Sequence, residues 1–256
     1  RTALQKYPKG RLTTGGATHV RFFFALPFAC LYLFGLHYIG GYDFFAPTQE
    51  FLIYVVVGGA TQILATALLV ALFSLRNFAI GTTYSKTETV QAAVFGVVLL
   101  GDGLSVPALI AIGVSMIGIM FISVSGSKLT FKDLMIGWTG KSALYGILSG
   151  ALFGVCAVSY RAASLSLGGE GAVMQAATSL FYVLIFQAIA VTIYLVLFEK
   201  GQFTLVVKSW RIAVWVGVTS LLGSVGWFTA MALQNAAYVR AVGQIELVFT
   251  FMISYF

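Results

Sequence analysis

The sequence predicts an all-α membrane protein, a polytopic bundle of helices. Of its 256 residues, 59% are hydrophobic and only 9% are charged, whereas roughly a quarter of the residues in a soluble domain are charged. The mean hydropathy of +0.95 is too high for a water-soluble core to hide the apolar side chains. The composition therefore excludes soluble enzymes, disordered chains and disulfide scaffolds.

Eight apolar runs have the length of a membrane span, which is about 20 residues. Short polar breaks that contain glycine or proline separate them, as turns do. The chain begins with arginine and stops within an apolar run, so we expect it to be part of a longer protein. The eight runs are 19–40, 51–73, 78–101, 104–125, 142–164, 172–198, 210–233 and 236–256.

Lysine and arginine are unevenly distributed between the two sides of the predicted bundle. If the chain crosses the membrane at every run, eleven cations fall on one side and only Arg161 falls on the other. Loops rich in lysine and arginine face the cytoplasm, so we expect the first side to be cytoplasmic. Membrane lipid, and no nucleic acid, is the expected partner of these cations. The eleven are Arg1, Lys6, Lys9, Arg11, Arg76, Lys128, Lys132, Lys141, Lys200, Lys208 and Arg211.

Scarce polar residues indicate an internal repeat. Asn77 and Asn235, the two asparagines of the chain, are 158 residues apart, and the same offset places Glu88 on Glu246. The offset is a step of five spans, and because five is odd, the two copies lie upside down relative to each other. Inverted repeats are typical of secondary transporters, with the substrate site near the bilayer midplane.

The register predicts five helices in each half of a ten-helix unit, of which the chain holds helices two to nine. The first repeat covers 1–125 without its first helix, and the second covers 142–256 without its last. Residues 126–141 form the connector, which we expect to lie in the cytoplasmic interface of the membrane.

The segment from Thr83 to Ser105, followed by the glycine-spaced helix from Ala108 to Ser125, resembles the end of an EamA domain of the drug/metabolite transporter superfamily. Such domains end in a small-residue helix, a Leu-Gly-Glu-x-Leu-Ser-like turn and another helix; here Asp102 stands where glutamate is usual. The resemblance covers nearly the whole chain as two EamA-like halves and implies a ten-helix transporter with a central cavity. Members usually have both termini in the cytoplasm, whereas the charges here place the missing termini outside.

Apart from Arg161 and Arg211, which the charge sorting assigns to the ends of their runs, five residues with charged side chains lie within the apolar runs. Each of them costs at least about 2.5–3.5 kcal/mol at the bilayer centre. We therefore expect them to face the interior of the bundle. Two carboxylates lie near the middle of their runs, which is the depth at which inverted-repeat carriers bind substrate. The five are Arg21, Lys86, Glu88, Arg240 and Glu246.

Helical spacing sets polar neighbours around these residues, and each half offers one carboxylate and one cation. A cavity lined in this way suits a zwitterionic or mixed-charge solute. The alternative is that Glu88 and Glu246 are locked in ion pairs with Arg240 and Lys86 that only hold the two halves together. Arg21, which is near the membrane edge, is a gate or a lipid anchor. The candidates for substrate or proton binding are Glu88, Glu246, Lys86, Arg240, Gln244, Gln91 and Tyr84.

The expected function is that of an EamA-type permease in the bacterial inner membrane. It would move small polar or zwitterionic metabolites such as amino acids by alternating access, with a proton as a candidate coupling ion. The alternative is a non-transporting structural or accessory subunit of a larger membrane complex. A membrane-embedded enzyme ranks third, since no nucleophile with its base is recognisable. No cofactor or metal is expected, and a homodimer or membrane complex stays open.

Overall fold

The computed structural model describes residues 12–72, 75, 78–125 and 138–245. Every regular element in this part of the chain is an α-helix. We number the helices in chain order. They are α1 (Thr14–Phe23), α2 (Leu26–Tyr38), α3 (Gln49–Leu72), α4 (Phe78–Ser85), α5 (Glu88–Leu100), α6 (Val106–Ser125), α7 (Lys141–Ser166), α8 (Ala172–Phe198), α9 (Gln202–Lys208), α10 (Trp210–Leu233) and α11 (Ala236–Gly243).

Among the described residues, five segments are long and apolar enough to cross a membrane. They are α1 with α2 taken together, α3, α7, α8 and α10, and they match five of the eight predicted spans. The prediction of an all-α, membrane-type protein is therefore confirmed. A sixth predicted span corresponds to the 20-residue helix α6, and the last, 236–256, is described only as far as residue 245.

The continuous span predicted over 78–101 is instead broken at Lys86–Thr87 into α4 and α5. The hydroxyl of Thr87 donates to the carbonyl of Tyr84 at 2.7 Å, and that of Ser85 donates to the carbonyl of Thr82 at 2.8 Å. Hydroxyl groups that bond the preceding turn compete with the backbone N–H groups of the helix. The closely spaced hydroxyl residues therefore favour a break that apolar run length alone does not reveal.

The first span also differs from its prediction, because it begins at Thr14 rather than at residue 19 and is interrupted at 24–25. Thr13 caps its start by accepting a hydrogen bond from the backbone N–H of Gly16 at 3.1 Å. Pro27 explains the interruption, because proline has no N–H to give to the carbonyl of Phe23 and its ring crowds that carbonyl.

Helix α9 lies within a segment that the sequence assigns to a polar loop. Gly201 begins it with a φ of +84°, a left-handed conformation that glycine adopts without steric cost. Val206 is fully buried, and α9 packs against α1. The buried Val206, together with the contacts of Phe203 with the rings of His19 and Phe23, therefore anchors this short helix.

The described residues divide into two compact units. The first takes in the chain up to Gly59 together with Tyr160–Leu233. Within it, α8 packs against α1, α2 and α10, and Leu33, Met174 and Ala177 form part of its buried core.

The second unit takes in Ala60–Ser159 and the chain from Gln234. Within it, α11 packs against α5 and α6 around the buried residues Ala93, Ile112 and Ala237. Each unit contains residues from both predicted repeats, so the units and the repeats divide the chain differently. Packing into a compact unit does not depend on sequence repetition, and the repeat boundaries at 1–125 and 142–256 therefore stay a prediction.

Candidate functional site

An ion pair between Glu88 and Arg240 forms the centre of the candidate site, within the second unit. Glu88 is the first residue of α5, and Arg240 lies in the last turn of α11. Nη1 of Arg240 is 3.6 Å from Oε1 of Glu88, and the two side chains are only 15% and 14% exposed. Charge-assisted hydrogen bonds are typically about 2.7–2.9 Å long, so the two groups are paired loosely.

Gln244 joins this pair from the end of α11. Its side-chain nitrogen donates to Oε1 of Glu88 at 3.4 Å and to the hydroxyl of Thr89 at 3.3 Å. Its side-chain oxygen is buried and has no hydrogen-bond partner among the residues that the structure describes. The glutamine therefore contributes an additional acceptor beside the ion pair.

Gln91 lies one turn after Glu88 on α5 and is oriented by the preceding turn and by α7. Its side-chain nitrogen donates to the hydroxyl of Thr87 at 3.2 Å and to the carbonyl of Ile147 at 3.4 Å. Its side-chain oxygen is also buried without a partner in the described part of the chain. The start of α5 is thus flanked by two amide oxygens.

A glycine face on α7 brings that helix against the break between α4 and α5. A Cβ atom placed on Gly150 would lie 2.9 Å from the carbonyl oxygen of Ser85 and 3.3 Å from the backbone nitrogen of Glu88. The regular spacing of Gly146, Gly150 and Gly154 along one face permits such close helix contact. Glu88 is therefore positioned by backbone contact as well as by its own side chain.

Phe153 of α7 is a neighbour of Arg240 that sequence reasoning missed. The guanidinium carbon lies 6.0 Å from the centre of the phenyl ring, which is the outer range of a cation–π contact. An aromatic residue in an apolar run carries no signal that separates this role from ordinary packing. Its nearness to the glycine face was the one available clue.

The other predicted site residues lie in different settings. Tyr84 packs against Ile80 of its own helix, and Lys86 is half-buried in the turn that separates α4 from α5. Arg21 is half-buried on α1 and belongs to the first unit. Glu246 lies outside the described residues. The structure thus brings together Glu88, Gln91, Arg240 and Gln244 in the second unit.

The chain makes the same type of turn again at the end of α11. The N–H groups of Gln244 and Ile245 bond to carbonyls three residues earlier, at 3.2 and 3.1 Å. Lys86 and Thr87 do the same, both at 3.1 Å. The two turns are 158 residues apart, which is the offset that relates the two asparagines.

Two glycines at the same offset make close helix contacts in the first unit. A Cβ atom on Gly59 of α3 would lie 2.6 Å from the ring of Phe186 on α8. A Cβ atom on Gly217 of α10 would lie 2.5 Å from the backbone of Phe24, in the break that follows α1. The predicted repeat makes run 51–73 equivalent to run 210–233, and run 19–40 equivalent to run 172–198. The second contact therefore joins the helices that are equivalent to those joined by the first.

Gln187 is a buried polar residue that sequence reasoning did not select. It is 1% exposed, and its side-chain nitrogen donates to the carbonyl of Gly59 and to the hydroxyl oxygen of Tyr160, both at 3.3 Å. The ring of Tyr160 stacks on Phe228 with centroids 4.4 Å apart. A glutamine in the middle of an apolar run was the signal available, and the observed contacts join helices of the first unit.

Arg161 has a structural contact that accounts for its position. Its Nη1 atom donates to the carbonyl of Met231 at 3.0 Å, in the last turn of α10. Arg161 itself belongs to α7, but its guanidinium lies at the C-terminal end of α10. A cation at that end of a helix is stabilised by the unpaired carbonyls and the helix dipole. The one cation that the charge sorting places on the opposite side therefore serves α10 as a capping residue.

Comparison with protein-family models gave no match, and comparison with curated protein sequences gave none either. The EamA resemblance therefore stays a prediction that rests on the residues quoted for it. Within the described residues, no three or more histidine, cysteine, aspartate or glutamate side chains are grouped so that they could hold a metal ion.

Proposed function

We propose that the protein is a secondary transporter of small polar or zwitterionic metabolites, such as amino acids, and that it works by alternating access. The observation that carries the proposal is the loose Glu88–Arg240 pair beside a broken helix in an apolar bundle. On this proposal the chain is an EamA-type, multi-pass permease of the drug/metabolite transporter superfamily, located in the bacterial inner membrane.

The ion pair supports a transport role because ionisable groups inside a membrane are costly and mark substrate or ion pathways. A zwitterionic solute offers an ammonium group to Glu88 and a carboxylate to Arg240, so it replaces one ion pair by two. A proton that neutralises Glu88 would release Arg240 in the same way. Such an exchange changes the relative stability of two conformations, and a ligand shifts an equilibrium only through such a difference.

The broken helix supports the same proposal. Substrate sites in inverted-repeat transporters are commonly built from discontinuous helices near the midplane. Glu88 directly follows the break between α4 and α5, and Gln244 belongs to the turn at the corresponding position 158 residues later. The paired turns and the paired glycines 59 and 217 support the inverted repeat on which the proposed ten-helix architecture rests.

Counterflow in proteoliposomes tests the proposal. Purified protein is reconstituted and loaded in turn with amino acids, nucleosides or sugars, and uptake of the labelled solute is measured. We expect saturable counterflow for a zwitterionic solute, and we expect Glu88→Gln or Arg240→Gln to abolish it. Glu50→Gln is the matched control, because Glu50 is exposed at the start of α3.

The double variant Glu88→Gln/Arg240→Gln separates transport from simple structural pairing. It removes both charges, so neither is left alone in an apolar setting, which is the costly situation for a buried pair. If the pair binds solute, the double variant inserts normally and stays inactive. Normal counterflow by both single variants and by the double variant would contradict the proposal. Absence of counterflow for every solute would favour the accessory-subunit alternative.

A further inference from the structure

The amide of Gln244 is oriented so that its nitrogen is hydrogen-bonded and its oxygen is not. A carboxylate accepts hydrogen bonds and cannot donate them, so the contact with Glu88 at 3.4 Å requires the side-chain nitrogen on that side. The same nitrogen reaches the hydroxyl of Thr89 at 3.3 Å. Gln244 is only 8% exposed, and its oxygen has no donor among the described residues.

Gln91, one turn after Glu88 on α5, repeats this arrangement. Its nitrogen reaches the backbone carbonyl of Ile147 at 3.4 Å, and a carbonyl is also only an acceptor. The nitrogen therefore faces α7, and the buried oxygen has no donor in the described part of the chain. The nitrogens of both glutamines contact the Thr87–Thr89 segment at the start of α5. The oxygen of Gln91 lies 3.1 Å from the position that a Cβ atom on Gly150 would take.

Buried polar atoms without a partner are rare, because each loses its hydrogen bonds to water without compensation. Here the amide oxygen of Gln244 is one such acceptor, on a side chain that contacts Glu88, and the amide oxygen of Gln91 is a second, one turn along α5. A group with several N–H donors satisfies acceptors of this kind, whereas an anionic group brings only further acceptors. A primary ammonium carries three donors in a compact group.

We infer that the site recognises the primary ammonium group of its solute, with the side-chain oxygens of Gln244 and Gln91 as acceptors beside the carboxylate of Glu88. This inference rests on the proposed function and names the part of the solute that decides binding. A solute carboxylate, where one is present, engages Arg240 after Glu88 has turned to the ammonium. Amines without a carboxylate are therefore ligands, and carboxylic acids without an amine are not.

Matched sets of three compounds test this order of importance. Phenylalanine, 2-phenylethylamine and 3-phenylpropanoate share a ring but carry both charged groups, the ammonium alone, or the carboxylate alone. Leucine, isoamylamine and 4-methylpentanoate form a smaller set. Binding of each compound to the purified full chain in detergent is measured by equilibrium dialysis. We expect the amino acid and the amine of at least one set to bind, and the acid of that set not to bind.

Two substitutions remove an acceptor without adding a charge beside Glu88. Gln244→Met has no amide oxygen, and we expect it to weaken amine binding about 10- to 100-fold, the range for a hydrogen bond to a charged group. Gln91→Met makes the same change one turn along α5, and it provides an independent variant if the first one does not fold. Gln49→Met, on the exposed end of α3, is the matched control with unchanged binding.

Each outcome decides between the inference and the proposed function. Acid binding equal to amine binding, or unchanged amine affinity in both Gln244→Met and Gln91→Met, overturns the inference. Counterflow of acids or sugars without any amine binding also overturns the inference but leaves the proposed transport function standing. If no compound of either set binds and counterflow is absent for every solute, both are rejected.

Discussion

The glycine face of α7 allows a graded test of how closely this helix packs against the broken helix. A Cβ atom on Gly146 would overlap the backbone of α4, and one on Gly150 would lie 2.9 Å from a backbone carbonyl oxygen. On Gly154 the nearest atom would be a backbone nitrogen at 3.1 Å. Because backbone atoms cannot rotate away, α7 must shift to accept an alanine, and it must shift most at Gly146.

Two opposing contributions set the expected size of the effect. Overpacking a close contact typically costs about 1–3 kcal/mol, while replacing glycine by alanine inside a helix gains about 0.8–1.0 kcal/mol. We expect Gly146→Ala to destabilise the protein by roughly 1–2 kcal/mol, Gly150→Ala by less, and Gly154→Ala to be nearly neutral. Gly113→Ala on α6 is the control, because a Cβ atom there would have no neighbour within 4 Å.

Equilibrium unfolding of the purified protein in mixed detergent and denaturant micelles measures this series. The expected order of stability is Gly113→Ala, then Gly154→Ala, Gly150→Ala and Gly146→Ala from most to least stable. Equal stability of Gly146→Ala and Gly113→Ala would refute the close packing of α7 on α4. Counterflow by the same variants then shows whether transport declines in the same order.

Three further predictions concern other parts of the chain. A cysteine at position 132 reacts with an impermeant reagent only from the cytoplasmic side, and one at position 43 only from outside; the opposite labelling would contradict the charge sorting. Thr87→Val removes the hydroxyl that bonds Tyr84, so a spin-label distance across the break lengthens toward that of a straight helix, whereas an unchanged distance would show that the hydroxyl does not maintain the break. Gln187→Leu takes a hydrogen bond from the carbonyl of Gly59 and lowers stability by about 1–3 kcal/mol in the unfolding assay; a neutral result would show that this contact does not join α8 to α3.

Run length and hydropathy were sufficient to predict most of the helices. The segments Gln49–Leu72, Ala172–Phe198 and Trp210–Leu233 lie close to their predicted limits, because nearly every residue in them is apolar and the flanking turns are polar. Such patterns depend on local composition, which a single sequence displays in full.

The break at Lys86–Thr87 was beyond this kind of prediction. It depends on which side-chain hydroxyls bond the preceding carbonyls and on whether another helix can approach the exposed backbone. Gly150 supplies that approach, although it is more than sixty residues away in the chain. The sequence showed both the hydroxyls and the glycines but gave no indication that they meet.

The charged members of the candidate site were predictable from the sequence, whereas the polar contacts around them were not. The cost of a charge in an apolar run singled out Glu88 and Arg240, and the structure places them 3.6 Å apart. The sequence named Arg240 and Lys86 as the possible partners of the carboxylates, and it gave no sign of the contact between Gln244 and Glu88. The orientation of the two amide groups depends on contacts such as that with Ile147, which has no polar side chain to attract notice.

The repeat register leads to a last prediction, about Lys86 and Glu246. The offset of 158 residues places Gln244 on Lys86 and Glu246 on Glu88. If a two-fold axis relates the two repeats, every contact between a residue of one repeat and a residue of the other occurs a second time, between the two equivalent residues. The observed contact of Gln244 with Glu88 therefore predicts that Lys86 donates to Glu246.

Charge reversal tests this pair in the full chain. Lys86→Glu alone places two carboxylates side by side and Glu246→Lys alone places two ammonium groups, so each single variant should lose stability through like-charge repulsion. The double variant restores an opposite pair, and we expect a coupling of about 0.5–3 kcal/mol, the range found for residues in contact. Strictly additive effects would mean that the two residues do not meet. The two-fold relation would then fail at the place where the register predicts it most directly, even though the paired turns at 86–87 and 244–245 share their hydrogen bonding.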